Sequence, residues 1–207
     1  MTRAFDELFA VRDAFRGVPM PGRTDARILA DAACAHGISP HSPALAGFPD
    51  RYVERLGFEL DKPGPRKGVM PGIRPLLDVL SARDDVHLAL LTGNYRAAAQ
   101  LKLEYFDLWR YFRCGAFGDA APDRNGLLPR AVSTVAACGG PVFAAPEVVV
   151  IGDTPLDVAC AKFSRARSIA VATGLHGIDE LRAAGADVVF EDLSDTARVL
   201  HALGIAA

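Results

Sequence analysis

Residues 147–157 read Glu-Val-Val-Val-Ile-Gly-Asp-Thr-Pro-Leu-Asp, and this stretch decides the fold. The run Val148–Ile151 is apolar and β-branched with no polar alternation, the pattern of a parallel strand buried on both faces. Gly152 ends it. Thr154 is an N-cap residue type and Pro155 suits the first helical position, so a helix follows at once. A strand that turns directly into a helix is the repeating joint of an open α/β sheet, and ligands bind such sheets at the strand's C-terminal tip. Asp153 stands at that tip, with Asp157 four residues further on. Two carboxylates facing one crevice repel each other unless a cation joins them, and hard oxygen donors around a mostly hydrated ion suit magnesium. The plainer alternative is that Asp153 only caps the next helix.

The pattern repeats on both sides of this joint. Strands are expected at Val86–Leu91, Arg113–Phe117, Ser168–Ala172 and Asp187–Phe190. Helices are expected at Gly72–Arg83, Asn94–Tyr105, Leu127–Cys138, 155–163, 177–184 and 194–203. This alternation predicts a parallel sheet with helices on both faces. Residues 1 to about 65 carry helical patterns only. Met1–Phe9 places Ala4, Phe5, Leu8 and Phe9 on one side, Thr24–His36 is closed by Gly37, and Leu45–Leu60 is expected to break near Pro49. A Pro/Gly/Lys-rich stretch at 61–68 reads as a hinge. The chain thus divides into a helical part, 1–65, and an α/β part, 66–207.

Other strand tips carry further candidates. Leu91-Thr92-Gly93-Asn94 offers a hydroxyl at Thr92, close backbone approach at Gly93, and the N-terminal end of a new helix at Asn94, a ready anion site. Arg124, in the loop 119–129, could neutralise a bound phosphate and hold the carboxylates together. Arg130 is the weaker choice, being inside the following helix. Arg23, before the helix at Thr24, could close over a substrate's distal group, and His176 could line the mouth of the site.

Bulk composition bounds the rest. The 207 residues are 50% hydrophobic, enough for one sizeable core and a smaller unit. The net charge of −2 and the absence of a basic run argue against nucleic acid as a partner. No apolar stretch approaches the ~18 residues of a membrane span, and the N-terminus is too charged for a signal peptide. Cys34, Cys114, Cys138 and Cys160 are scattered, with neither Cys-x-x-Cys nor zinc spacing. They read as reduced core thiols of a cytoplasmic protein.

Taken together, these residues resemble the haloacid dehalogenase superfamily, in its phosphoglycolate-phosphatase-like and β-phosphoglucomutase-like branch. Leu90–Asn94 looks like that family's second motif, whose Thr holds the transferring phosphoryl group. Gly152–Asp157 looks like its fourth, the magnesium-binding acids. Arg124 stands in the place of the third-motif cation, usually Lys, and residues 1–65 are similar to the helical cap. The family's first motif, Asp-x-Asp-x-Thr/Val on a central strand, is not found. The sequence reading therefore expects a start chosen too late, with on the order of 20 residues before Met1.

The resemblance implies a Rossmann-like sheet with a helical cap and a magnesium-dependent phosphatase acting through an aspartyl-phosphate. Thr92, Arg124, Asp153 and Asp157 would be catalytic, with the metal on Asp153 and Asp157. Gly93, Asn94, Arg23 and His176 would bind substrate, a small phosphorylated metabolite such as phosphoglycolate, in a monomer or homodimer. Three rivals stand beside this reading: a phosphomutase, a metal-free carbon–halogen hydrolase, and an inactive protein that binds phosphorylated ligands.

Overall fold

The computed structural model describes residues 1–64, 67–119 and 123–205. Parts of the expected hinge and of the loop at 119–129 lie outside them. In chain order the elements are α1 (Thr2–Phe9), α2 (Asp25–Ala35), α3 (Phe48–Leu60), α4 (Ile73–Ser81), β1 (Ala89–Leu91), α5 (Arg96–Tyr105), β2 (Cys114–Ala116), α6 (Leu127–Ala137), β3 (Val149–Gly152), α7 (Pro155–Phe163), β4 (Arg167–Val171), α8 (Ile178–Ala183), β5 (Val188–Phe190) and α9 (Thr196–Leu203). Every strand pair is parallel. The α/β alternation read from the sequence is thus the architecture.

Helices α1 to α3 build an aromatic core. Phe5 and Phe48 are fully buried and meet edge-on, and Phe15 packs against both. Leu8, expected on the buried side, stays 37% exposed. The break expected near Pro49 falls just before it: Pro43–Leu45 forms a short 3₁₀ turn, and Pro49 sits in the first turn of α3, where its missing N–H costs nothing. Tyr95 and Ala98 are buried in this same core. Helix α5 and its N-cap Tyr95 are therefore packed into the core of α1 to α3.

The α/β part has helices on both faces of β4. Ile169 and Val171 pack towards α4 and α9 through Leu76, Leu80, Val199 and Leu200. Ala170, pointing the other way, meets Val158 of α7 and Leu181 of α8. The strands form two separate ladders, β1–β2 and β3–β4–β5. The expected strand Val86–Leu91 pairs only over Ala89–Leu91, because its single neighbour β2 is three residues long. All three β1 residues are only half-buried, and Ile151 of β3 is 38% exposed. Such values are unusual for apolar strands of a parallel sheet, which are normally covered on both faces.

The cysteines correct the sequence reading. Cys160 is buried, but Cys34 and Cys138 are exposed and Cys114 is half-buried. Cys34 lies off the inward stripe of α2, and Cys138 caps the solvent-facing end of α6. No helix among the described residues is long and apolar enough to cross a membrane.

Side chains reinforce the register of β4 and β5. The Asp187 carboxylate accepts from the Ser168 N–H at 2.7 Å and the Ser168 hydroxyl at 2.8 Å, and the Asp187 N–H donates back to that hydroxyl at 3.1 Å. Hydrogen bonds from the Ser168 side chain and backbone hold the Asp187 carboxyl below its ordinary value of 3.8. A depressed folded-state value stabilises the fold above the unfolded value, and that stability fades as pH falls through the folded one. Asp187→Asn should therefore flatten the acid limb of stability below about pH 4. Urea midpoints measured from pH 2 to pH 6 check this; parallel wild-type and variant profiles would contradict it.

Candidate active site

The tips of β1 and β3 open onto one cavity of about 510 Å³ between the sheet edge and the helical part. Its wall brings together Thr92, Gly93, Asn94, Arg124, Asp153 and Asp157 from the α/β part, and Arg23 from the loop before α2. His176 is not in that wall. Its Nδ1 lies 2.7 Å from the Glu180 carboxylate one helical turn away, which holds the ring against α8.

The β3–α7 turn is built as a capping box. The Thr154 hydroxyl accepts from the Asp157 N–H at 3.3 Å, and Asp157 Oδ2 accepts from the Thr154 N–H at 3.0 Å and its hydroxyl at 2.8 Å. Gly152 is required for this closure, since a Cβ there would collide with the Asp157 carboxyl. The other oxygen of Asp157 receives the Arg124 guanidinium in a buried ion pair, with side chains 5% and 14% exposed. A second arm of Arg124 donates to the Gly22 carbonyl at 3.2 Å, tying the loop before α2 to the α/β part. Arg124 Nε is buried and has no hydrogen-bond partner among the described residues.

The metal expectation therefore divides between the two acids. Both oxygens of Asp157 are committed to Thr154 and Arg124, whereas Asp153 faces the cavity. Burial raises the Asp153 carboxyl above its usual range, and the nearby Asp157 charge raises it further. A half-buried acid under that repulsion is one a cation would relieve. Gly174 packs close against its carboxylate, leaving no room for a Cβ. Asp153 fits as one oxygen ligand of a mostly hydrated magnesium. No cluster of three or more acid, His or Cys side chains gathers among the described residues.

The second tip departs from its sequence reading. Helix α5 starts at Arg96 and not at Asn94. The chain bends at residues 93 and 94 before the helix: the Asn94 N–H donates to Thr92 Oγ1 at 3.2 Å, and the Gly118 N–H donates to the Asn94 carbonyl at 2.7 Å. Asp25, from α2, accepts the Tyr95 N–H at 2.9 Å, so the anion at this helix N-terminus is a side chain of the protein. The close approach that Gly93 permits is also to protein. Its carbonyl accepts the Asp25 N–H at 2.6 Å, and a Cβ would strike the Arg23 carbonyl. What remains for a ligand at this tip, among the described residues, is the Gly93 N–H and the Thr92 hydroxyl, whose hydrogen is free once its lone pair has accepted Asn94.

Sequence reading passed over Asp25, Lys102 and Tyr52, all in the cavity wall. Asn94 bridges two of them, donating to Asp25 at 3.3 Å and accepting from Lys102 Nζ at 2.9 Å. Burial pushes the Asp25 carboxyl up, the Lys102 ammonium down and the Tyr52 phenol up. A signal was present. Asp25 begins the inward stripe of Ile28, Leu29 and Ala32, and Lys102 lies one turn beyond the buried Ala98, so each is a charge on an apolar face. Arg23 is in the wall but largely engaged, donating to the Pro19 carbonyl at 3.1 Å and pairing with Asp31 at 2.7 Å.

Removing one partner of the buried pair should cost more than weakening the other. Arg124→Met strands a buried carboxylate and should destabilise the protein by about 3–5 kcal/mol. Asp157→Asn should cost less, because its amide oxygen still accepts from Thr154. Denaturant unfolding of the two variants checks the order; equal small losses would mean that the pair carries little.

A family model described as haloacid dehalogenase-like hydrolase matches residues 7–162. A protein of Dickeya dadantii (strain 3937) named "Probable phosphatase IndB" is 33% identical over 140 residues, which cover 65% of this chain and 57% of that protein. The aligned stretch thus spans little more than half of that relative. Among solved structures, a hydrolase from Pseudomonas syringae superposes with a TM-score of 0.65 at 21% identity, covering 100% of this chain and 91% of that one. A CbbY mutant from Rhodobacter sphaeroides, in complex with xylulose-(1,5)-bisphosphate, superposes with a TM-score of 0.67 at 20% identity, covering 94% and 87%. At these identities the two structures speak for the fold, and the family match covers most of the sequence: the chain belongs to the haloacid dehalogenase-like hydrolases.

Proposed function

We propose that this protein serves a magnesium-dependent phosphatase reaction on a small phosphorylated metabolite, with residues 1–65 as the cap over the site. The observation that carries the reading is the convergence of Thr92, Arg124 and Asp153 on one cavity at the sheet edge. The Thr92 hydroxyl donates to an oxygen of the transferring phosphoryl group. Arg124 supplies positive charge beside it, held in place by Asp157. Asp153 would be a magnesium ligand, and the ion, when bound, neutralises phosphoryl charge. Such chemistry is mainly positioning and electrostatics.

The attacking carboxylate belongs, on this reading, to a strand seated between β1 and β3. The split sheet, the half-exposed β1 and the exposed Ile151 support a missing neighbour there. That carboxylate attacks phosphorus as the bond to the alcohol oxygen breaks, a second acid gives that oxygen its proton, and water then hydrolyses the acyl phosphate. A second reading, phosphate binding without turnover, is favoured by one observation. Of the cavity carboxylates Asp25, Asp153 and Asp157, two are locked in hydrogen bonds and the third is the candidate metal ligand.

Phosphate release from p-nitrophenyl phosphate by the protein isolated from its natural source tests the proposal. We expect turnover that EDTA abolishes, that Asp153→Asn lowers about a hundredfold or more, and that Thr92→Ala lowers about tenfold or more. Turnover indifferent to EDTA and to Asp153→Asn refutes the metal assignment, and no turnover favours the binding protein.

A further inference from the structure

We infer that Lys102 selects the substrate by binding a second anionic group, a carboxylate, on a short phosphomonoester. The inference rests on the phosphoryl site proposed above. Three cationic side chains line the cavity. Arg124 is spent on Asp157 and the Gly22 carbonyl, and Arg23 on Asp31 and the Pro19 carbonyl. Lys102 has three donors and one acceptor in the protein, Asn94 Oδ1 at 2.9 Å. Among the described residues no carboxylate forms an ion pair with it.

The nearest acid, Asp25, does not take that place. Its oxygens accept from the Tyr95 N–H and the Asn94 amide, so Asn94 stands between acid and base as a spacer. Burial nonetheless lowers the affinity of Lys102 for its proton, so the ammonium is held in a poorly hydrated wall with donors open. A charge kept this way is costly unless an anion meets it.

The same asparagine sets an upper limit on the length of the ligand. Its N–H reaches Thr92 Oγ1 at 3.2 Å and its Oδ1 reaches Lys102 at 2.9 Å. With one residue between these two bonds, Thr92 Oγ1 and Lys102 Nζ are at most about 11 Å apart. In-line contacts of about 2.8 Å at each end leave at most about 5 Å between phosphoryl and carboxylate oxygens. That allows a skeleton of at most about three carbons.

Calorimetric titration of the 207-residue protein with 2-phosphoglycolate, ethyl phosphate and inorganic phosphate tests this. The wild type should bind 2-phosphoglycolate about tenfold or more tighter than ethyl phosphate, the scale of one charge-assisted hydrogen bond. Lys102→Met should reduce that preference below about twofold. Lys102→Gln keeps a donor for Asn94 without the charge; it should behave the same way and serves if the Met variant does not fold. Phosphate ligands that bind with no preference, or a preference that survives both variants, overturn the role of Lys102 and leave the phosphoryl site standing. No binding of any of the three ligands overturns both.

Discussion

The buried pair of Arg124 and Asp157 is the interaction on which the site depends. Removing two charges from water is expensive, and the cost is recovered only when the pair is close and the remaining lone pairs are satisfied. Here they are: Thr154 fills one oxygen of Asp157 and Arg124 the other. Gly152 leaves the space, and Pro155 starts α7 without an N–H to satisfy. Through its contact with the Gly22 carbonyl, the same guanidinium draws the loop carrying Arg23 over the sheet edge. One ion pair thus orders the turn at β3, the helical part and the cavity between them.

A second contact closes the other tip. Asp25 reaches from α2 to the start of α5 and caps it from a different helix. The acid therefore occupies the place that a phosphate would take at a bare helix N-terminus, and its own oxygens accept from the Tyr95 N–H and the Asn94 amide. The two closures leave the cavity with carboxylates that are mostly engaged and with one ammonium that is not. The split sheet completes the picture. The strands form two separate ladders, and the tips carrying Thr92 and Asp153 meet at the one cavity.

Local chemistry was readable where it is local. Thr154, Pro155 and the apolar run before them set the strand, the cap and the helix within a few residues, and the structure keeps all three. The parallel sheet followed from repeated strand–helix joints for the same reason. What the sequence hid was decided across the chain. Gly93 is a glycine because the backbone at Arg23, seventy positions earlier, presses on it, and Asn94 precedes the helix because Asp25 and Gly118 pull it out. Lys102 and Asp25 were legible only as charges on apolar faces, a signal that names the residue without naming its partner. His176 had the right neighbours in sequence, yet Glu180 of the helix that follows holds its ring.

The most direct test is a crystal structure of the protein with magnesium and inorganic phosphate. The account predicts phosphate within hydrogen-bond distance of the Thr92 hydroxyl and Arg124, with the metal on Asp153 and the Arg124–Asp157 pair intact. Phosphate bound elsewhere, or a metal held by Asp157 with Arg124 displaced, would contradict it.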